Sequence, residues 1–281
     1  MKYRNLTCCF VTAAMVGIPT AAMADDDEIP FDEARLFFEL NDTDGDLGIH
    51  GKIDGDEWKW IEIEDTRERR MMKIRANGRL RRQGVTELFF ESAEPDFEEL
   101  DPEIFFDRFP EGWYEIEGRS LDGEELESEV YLSHVIPAAP AGVTVNGEDA
   151  AEDCDAEELP EVTPPVRLSW AAVANAHEEL GRDPDSVLAD HGISVIYYEV
   201  VLEIDEADFK SSIIVPSYIT EVDLPVAITD LIGETEDGEG EFKFEILVRT
   251  DNGVTEDDDG EPIEPNPGNK SAMESCFVVA D

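Results

Sequence analysis

Val166-Arg167-Leu168-Ser169-Trp170 alternates apolar and polar residues, so Val166, Leu168 and Trp170 share one face. A period of two marks a half-buried strand, because successive side chains of an extended chain point to opposite sides. Outward from this stretch the same texture recurs. Ile193 to Ile204 is a long strand containing Tyr197-Tyr198-Glu199-Val200. Ile213-Ile214-Val215 follows, then Thr220, Val222 and Leu224 in alternation, then Phe242 to Arg249, and finally Met273 to Val279. That order covers most of a seven-strand sandwich of about 100 residues.

The sequence before it is also mostly strands. Ala34, Leu36, Phe38 and Leu40 share one face of a first strand. Asp54-Gly55 is a tight-turn dipeptide, and it leads into Trp58-Lys59-Trp60-Ile61-Glu62-Ile63. Arg70 to Ala76 reads as a strand, with Met72, Ile74 and Ala76 on one side. Asp101 to Phe109 reads as a short helix opened by Pro102. Gly112 to Gly118 and Glu127 to His134 read as strands joined by a turn at Asp122-Gly123. The stretch 136–142, Ile-Pro-Ala-Ala-Pro-Ala-Gly, cannot continue a strand ladder and predicts a short, semi-stiff linker.

The second half resembles a fibronectin type III domain. The resemblance rests on Trp170 in the early strand and on Tyr198-Glu199-Val200 in the middle one. It also rests on Phe242-Lys243-Phe244-Glu245-Ile246 after the turn Gly238-Glu239-Gly240. Phe242 stands where that family has its corner tyrosine, so the usual hydroxyl-to-backbone bond is lost there. The resemblance implies an all-β fold of two tandem immunoglobulin-like or fibronectin type III-like β-sandwich domains. The expected organisation is a signal peptide at 1–24, an acidic leader at 25–29 and an N-terminal β-sandwich at 30–137. A linker and lead-in at 138–159 and the fibronectin type III-like domain at 160–281 follow.

Export is written at the start. Lys2 and Arg4 precede a mostly apolar run from Leu6 to Ile18, 13 residues long and too short to span a bilayer. Ala22-Met23-Ala24 is a small-x-small cleavage site. Cleavage after Ala24 predicts a secreted or periplasmic protein without membrane insertion. It also removes Cys8 and Cys9. Cys154 and Cys276 remain, and in an oxidising compartment they predict one disulfide.

Charge narrows the function classes. The 281 residues carry 70 Asp+Glu against 21 Lys+Arg, for a formal net charge of −49. Such a surplus argues against nucleic acid as a partner, since phosphate binding needs cations. It resembles a halophilic composition, in which dissolved ions screen self-repulsion. The exception is Arg67, Arg69, Arg70, Lys73, Arg75, Arg79, Arg81 and Arg82, which place eight cations within 16 residues. This stripe meets either neighbouring acidic strands or an anionic partner.

Two groups of residues are candidates for binding. Asp42, Asp44 and Asp46 recur every second residue, with Asp54 or Asp56 of a neighbouring turn available to complete an oxygen shell for calcium. The spacing opens like an EF-hand loop, but Leu47 and Ile53 stand where that loop needs Gly and Glu, so an EF-hand is rejected. Trp58 and Trp60 share a strand face, and such a pair is either core or a sugar-stacking platform. Thr250 to Asn269 reads as a second acidic loop with Asp251, Asp257, Asp258, Asp259 and Glu261. Catalytic signals are absent from the sequence: no G-x-S-x-G, no HExxH and no metal-ligand spacing among His50, His134, His177 and His191. The reading is therefore an exported non-catalytic binding, adhesion or scaffolding protein whose partner is an extracellular protein or glycan. The alternatives are a carbohydrate-binding accessory module and a hydrolase with an unrecognised carboxylate pair.

Overall fold

The computed structural model describes residues 28–151, 154, 159–181, 192–204, 208–229, 241–256 and 266–279. The signal peptide lies outside the described residues, as does most of the acidic leader. Strands dominate. The first half holds β1 (Glu33–Asn41), β2 (Asp46–Glu64), β3 (Arg70–Arg75), α1 (Gly78–Gln83), β4 (Val85–Glu91), α2 (Pro102–Arg108), β5 (Gly112–Ser120) and β6 (Glu125–Leu132). The second holds β7 (Thr144–Val145), β8 (Glu148–Asp149), β9 (Glu161–Val162), β10 (Arg167–Ser169), β11 (Val195–Ile204), β12 (Phe209–Pro216), β13 (Glu221–Asp223), α3 (Val226–Thr229), β14 (Glu241–Asp251) and β15 (Pro267–Val279). The expected helix is α2, with Pro102 in its first turn and the Asp101 carboxylate accepting from Glu103 N–H at 2.9 Å.

The chain is all-β. In the second half, β13-β10-β7-β8 forms one sheet and β12-β11-β14-β15 lines up in the other. Between them lies a core of Val166, Leu168, Trp170, Tyr198, Val200, Phe242, Phe244, Ile246 and Phe277. The alternating residues read from the sequence are the ones that point inward. Phe242, at the corner position, is buried and stacks on Phe277 with ring centroids 4.9 Å apart. The stretch read as linker and lead-in is not free chain. It contributes β7 and β8 to the smaller sheet, and just ahead of it Ile136, at the start of the Pro/Ala stretch, is fully buried in the first core.

The first half has its own core, built on Leu36, Phe38, Leu40, Ile53, Trp58, Ile61, Ile63, Tyr114 and Ile116. Its organiser is β2, 19 residues long. Asp54-Gly55 is not a hairpin turn, contrary to the sequence expectation. The strand runs through it with an irregularity between Asp54 and Trp58. Gly55 lies over Phe31, where a Cβ would come within 3.3 Å of the ring, so the strand bends across that side chain. β1 and β5 pair successive parts of β2 along one edge, and β4 and β3 along the other.

What joins the halves is more than the 138–159 stretch. β1 pairs in parallel with β15, Glu39 opposite Lys270 and Asn41 opposite Ala272, so one eleven-stranded sheet runs through both halves. β15 begins at Pro267, so Asn269 belongs to a strand and not to the acidic loop in which the sequence reading put it. Asp251 likewise ends β14, while Asp257, Asp258, Asp259 and Glu261 lie outside the described residues.

Candidate functional site

The shared sheet brings together residues more than 200 positions apart. Glu39, Lys270, Arg249 and Tyr197 are register neighbours in a row across β1, β15, β14 and β11. The Lys270 ammonium pairs with the Glu39 carboxylate. Arg249 is 4% exposed and lies over the Phe37 ring, 3.7 Å from its centroid. Burial pulls its guanidinium down to about 10. Its Nε finds no acceptor among the described residues, and one Nη donates to Pro267 O at 3.4 Å. Beside this row, His50 stacks on Phe37, and its Nε2 lies 2.8 Å from Glu94 Oε1 and 3.4 Å from Glu39 Oε2.

Two rows further along the same face, Glu274 and Glu245 stand directly opposite each other, with Val201 next in line. Like charges opposed across a ladder repel. Burial, then the Glu274 charge, pushes the Glu245 carboxyl up to about 7. Glu245, Glu274, Glu203, Lys243, Val201 and Cys154 line a cleft of ≈ 210 Å³. Cys154 and Cys276 form a disulfide with Cα atoms 5.3 Å apart, at the edge of this cleft.

The calcium candidates are divided. Asp42, Asp44 and Asp46 sit at the β1–β2 turn, where Asp46 pairs with Asn41; Asp54 pairs with Glu33 at the far end of the same ladder. Eight residues of strand separate Asp46 from Asp54, roughly 26 Å at 3.3 Å per residue, so Asp54 and Asp56 cannot complete a shell with the other three. Among the described residues no three His, Cys, Asp or Glu side chains converge as metal ligands. The turn is nonetheless crowded with charge. Asn41 Nδ2 donates to Asp44 Oδ2 at 3.1 Å and to Glu274 Oε1 at 2.8 Å. Burial, then Glu94 and Asp44, raises Asp46 to about 6.

The tryptophan pair is divided too. A register shift between Trp58 and Trp60 breaks the alternation, because an extra residue flips every side chain beyond it. Trp58 is 2% exposed in the core, out of reach of a sugar. Trp60 is half-buried under the Lys73 ammonium, 4.2 Å from the ring centroid. Of the remaining described histidines, His134 Nε2 lies 2.7 Å from Phe109 O, and His177 Nε2 lies 3.3 Å from Asp42 Oδ1 at the β1–β2 turn. His191 lies outside the described residues.

The basic stretch forms β3, α1 and their flanks. Glu62 takes both Arg70 and Lys73, and Asp65 takes Arg69 at 2.6 Å. Arg67, Arg75, Arg79, Arg81 and Arg82 are exposed, with no ion pair among the described residues. One feature of the first half went unread in the sequence. Tyr114, 1% exposed, donates its hydroxyl to Pro110 O at 3.0 Å, the corner contact that Phe242 cannot make in the second half. The spacing Pro110-x-x-x-Tyr114 ahead of a strand was its signal.

No family model matches the chain, and no curated protein matches it in sequence. Solved structures similar to it include the FN1–FN3 domains of chicken CNTN1 (8% identity, 90% of this chain and 68% of that one, TM-score 0.30). A segment of two fibronectin type III domains from chicken tenascin is another (8%, 88% and 97%, TM-score 0.25). A bacterial ice-binding adhesin is a third (12%, 90% and 66%, TM-score 0.21). At such scores the fold class rests on the strand order and the two cores described above.

Proposed function

We propose that the chain is an exported, non-catalytic binding or scaffolding protein. The observation that carries this reading is the parallel β1–β15 pairing. It fuses two cores under one sheet into a stiff body, and a scaffold must hold its outer surfaces in fixed relation. The Cys154–Cys276 disulfide supports an oxidising compartment. Among the described residues no helix is long and apolar enough to cross a membrane. Arrays of extracellular glycans and proteins, probed with and without chelator, test the reading. Turnover of a polysaccharide or peptide in an activity screen would overturn its non-catalytic part and favour a carboxylate-pair hydrolase.

Calcium stays in this reading as a stabiliser only through Asp42, Asp44 and Asp46, whose side chains would have to turn together to hold the ion. Melting in Ca²⁺ and in NaCl of matched ionic strength tests it; equal midpoints leave only screening. The carbohydrate-binding alternative keeps Trp60 alone as a sugar contact, since Trp58 is core.

A further inference from the structure

Trp60 has an arginine opposite it on each neighbouring strand: Arg75 on β3 and Arg119 on β5. Ile61 and Ile74 lie in register and pack on the first core, so their neighbours Trp60 and Arg75 lie on the opposite, outer face of the sheet. Arg119 is fixed there by Gly123 O at 2.9 Å and by the Glu125 carboxylate. Trp60 is half-buried, and the Arg75 guanidinium is exposed with no ion pair. Directly beyond Arg75 the chain forms α1, which buries none of its residues. Its Arg79, Arg81 and Arg82 are exposed and unpaired among the described residues, and Leu80 between them is 63% exposed. From Arg67 to Thr86 the one acid is Glu68, in a chain where 70 of 281 residues are Asp or Glu. Acids serve solubility better than arginines do, so this local reversal of charge needs another reason.

We propose that the Trp60–Arg75 row and α1 form a binding surface for an acidic polysaccharide, a chain of sugar rings that carry carboxylates. Each part of such a polymer has its counterpart here. The guanidinium fork presents paired N–H donors to a planar carboxylate. The exposed part of the indole, and Leu80 beside the helix arginines, offer apolar surface to the C–H faces of the rings. A carboxylate polymer without rings would leave Trp60 and Leu80 unused, and a neutral glycan would leave the arginines unused. The attraction is local. At about 0.15 M salt the Debye length is about 8 Å, so acids on the rest of the chain repel the polymer only weakly. This inference rests on the binding reading above and names the chemistry of its glycan.

Immobilised polygalacturonate, its methyl ester and polyglutamate, probed with the full chain, read the proposal. The chain binds polygalacturonate at about 0.15 M salt and releases it near about 1 M, where the Debye length shrinks to about 3 Å. The methyl ester has the rings without the charge and is not retained. Polyglutamate has the charge without the rings and binds at least about tenfold more weakly. The R79E/R81E/R82E variant changes only exposed side chains, so circular dichroism matches the wild type while polygalacturonate is no longer retained. Trp60→Phe keeps an aromatic face and the binding; folded Trp60→Ala binds several-fold more weakly. No retention of polygalacturonate overturns the proposal. So does a methyl ester or a polyglutamate bound as tightly, or a triple variant that binds like the wild type. If polygalacturonate fails while another glycan or a protein is retained, this site falls and the broader reading stands. Cleavage of the retained polygalacturonate keeps the site and removes only the non-catalytic part of that reading.

Discussion

The Asn269 carboxamide ties the two halves together: its Oδ1 accepts the Phe38 N–H of β1 at 2.8 Å. The same side chain, 1% exposed, donates to Ser133 O at 2.7 Å and to Val135 O at 3.0 Å, just beyond β6. One side chain on β15 therefore satisfies three backbone groups of the first half. Asn269→Ala strands all three in a dry site, and at about 1–3 kcal/mol for an unmet buried group the variant loses at least about 3 kcal/mol in denaturant titration. Asn269→Asp keeps the acceptor for Phe38 but turns a carboxylate toward two carbonyls, so it is no better tolerated. A loss below about 1 kcal/mol for either variant would show that the β1–β15 ladder holds without this staple.

The Cys154–Cys276 bridge spans 122 residues and straps the chain ahead of β9 to the outer side of β15. In the loop-entropy account a span of that length restrains the unfolded chain by about 4–5 kcal/mol. Reduction, or Cys154→Ser, lowers the denaturation midpoint accordingly. Non-reducing digestion yields one linked peptide pair. Separate Cys154 and Cys276 peptides from unreduced protein would refute the bridge.

Local alternation was enough to find the strands around Val166-Leu168-Trp170 and Phe242-Phe244-Ile246, because period two is imposed by the extended backbone itself. Helix α2 was legible through a different signal, Pro102 at its start and the helical spacing of Ile104, Phe105 and Phe109. What alternation does not encode is partner choice. The β1–β15 pairing joins residues such as Phe38 and Asn269, 231 positions apart, and its staple is a lone Asn in a Pro-Gly-Asn-Lys stretch that reads as loop. Bulges were illegible as well. The parity rule assigns Trp58 and Trp60 to one face and Asp54-Gly55 to a turn, and each assignment fails where β2 bends over Phe31. β2 runs unbroken through Asp54 and Asp56 and so carries them away from Asp46, which the expectation of a neighbouring turn did not allow for.

Stability falls as pH rises through neutrality. Asp46 is raised to about 6, Glu245 to about 7, and Glu127 to about 7 by burial and then the Glu28 charge. Each native carboxyl holds its proton to higher pH than the unfolded one. The native state therefore binds more protons between about pH 4 and pH 7, and unfolding free energy decreases across that window. Thermal midpoints at constant salt should climb on acidification from pH 8 to pH 5. Glu245→Gln removes part of this slope and raises the midpoint at pH 8, because it also relieves the opposition with Glu274. A flat profile, or a Gln variant less stable than wild type at pH 8, would contradict the raised carboxyls.

Trp58 and Trp60 offer the sharpest test of the bend in β2, since a regular strand treats them alike and the bulged one does not. Trp58→Ala opens a cavity in the first core and costs about 3–5 kcal/mol. Trp60→Ala loses partial burial and the Lys73 contact, the latter about 0.5–1 kcal/mol at an exposed site, so its total stays well below that of Trp58. The indole fluorescence separates them too: an aqueous quencher reaches Trp60 and not Trp58, which single-tryptophan variants resolve. Equal destabilisation, or equal quenching, would mean that the two indoles share a face after all, and would restore Trp58 as a candidate ligand contact.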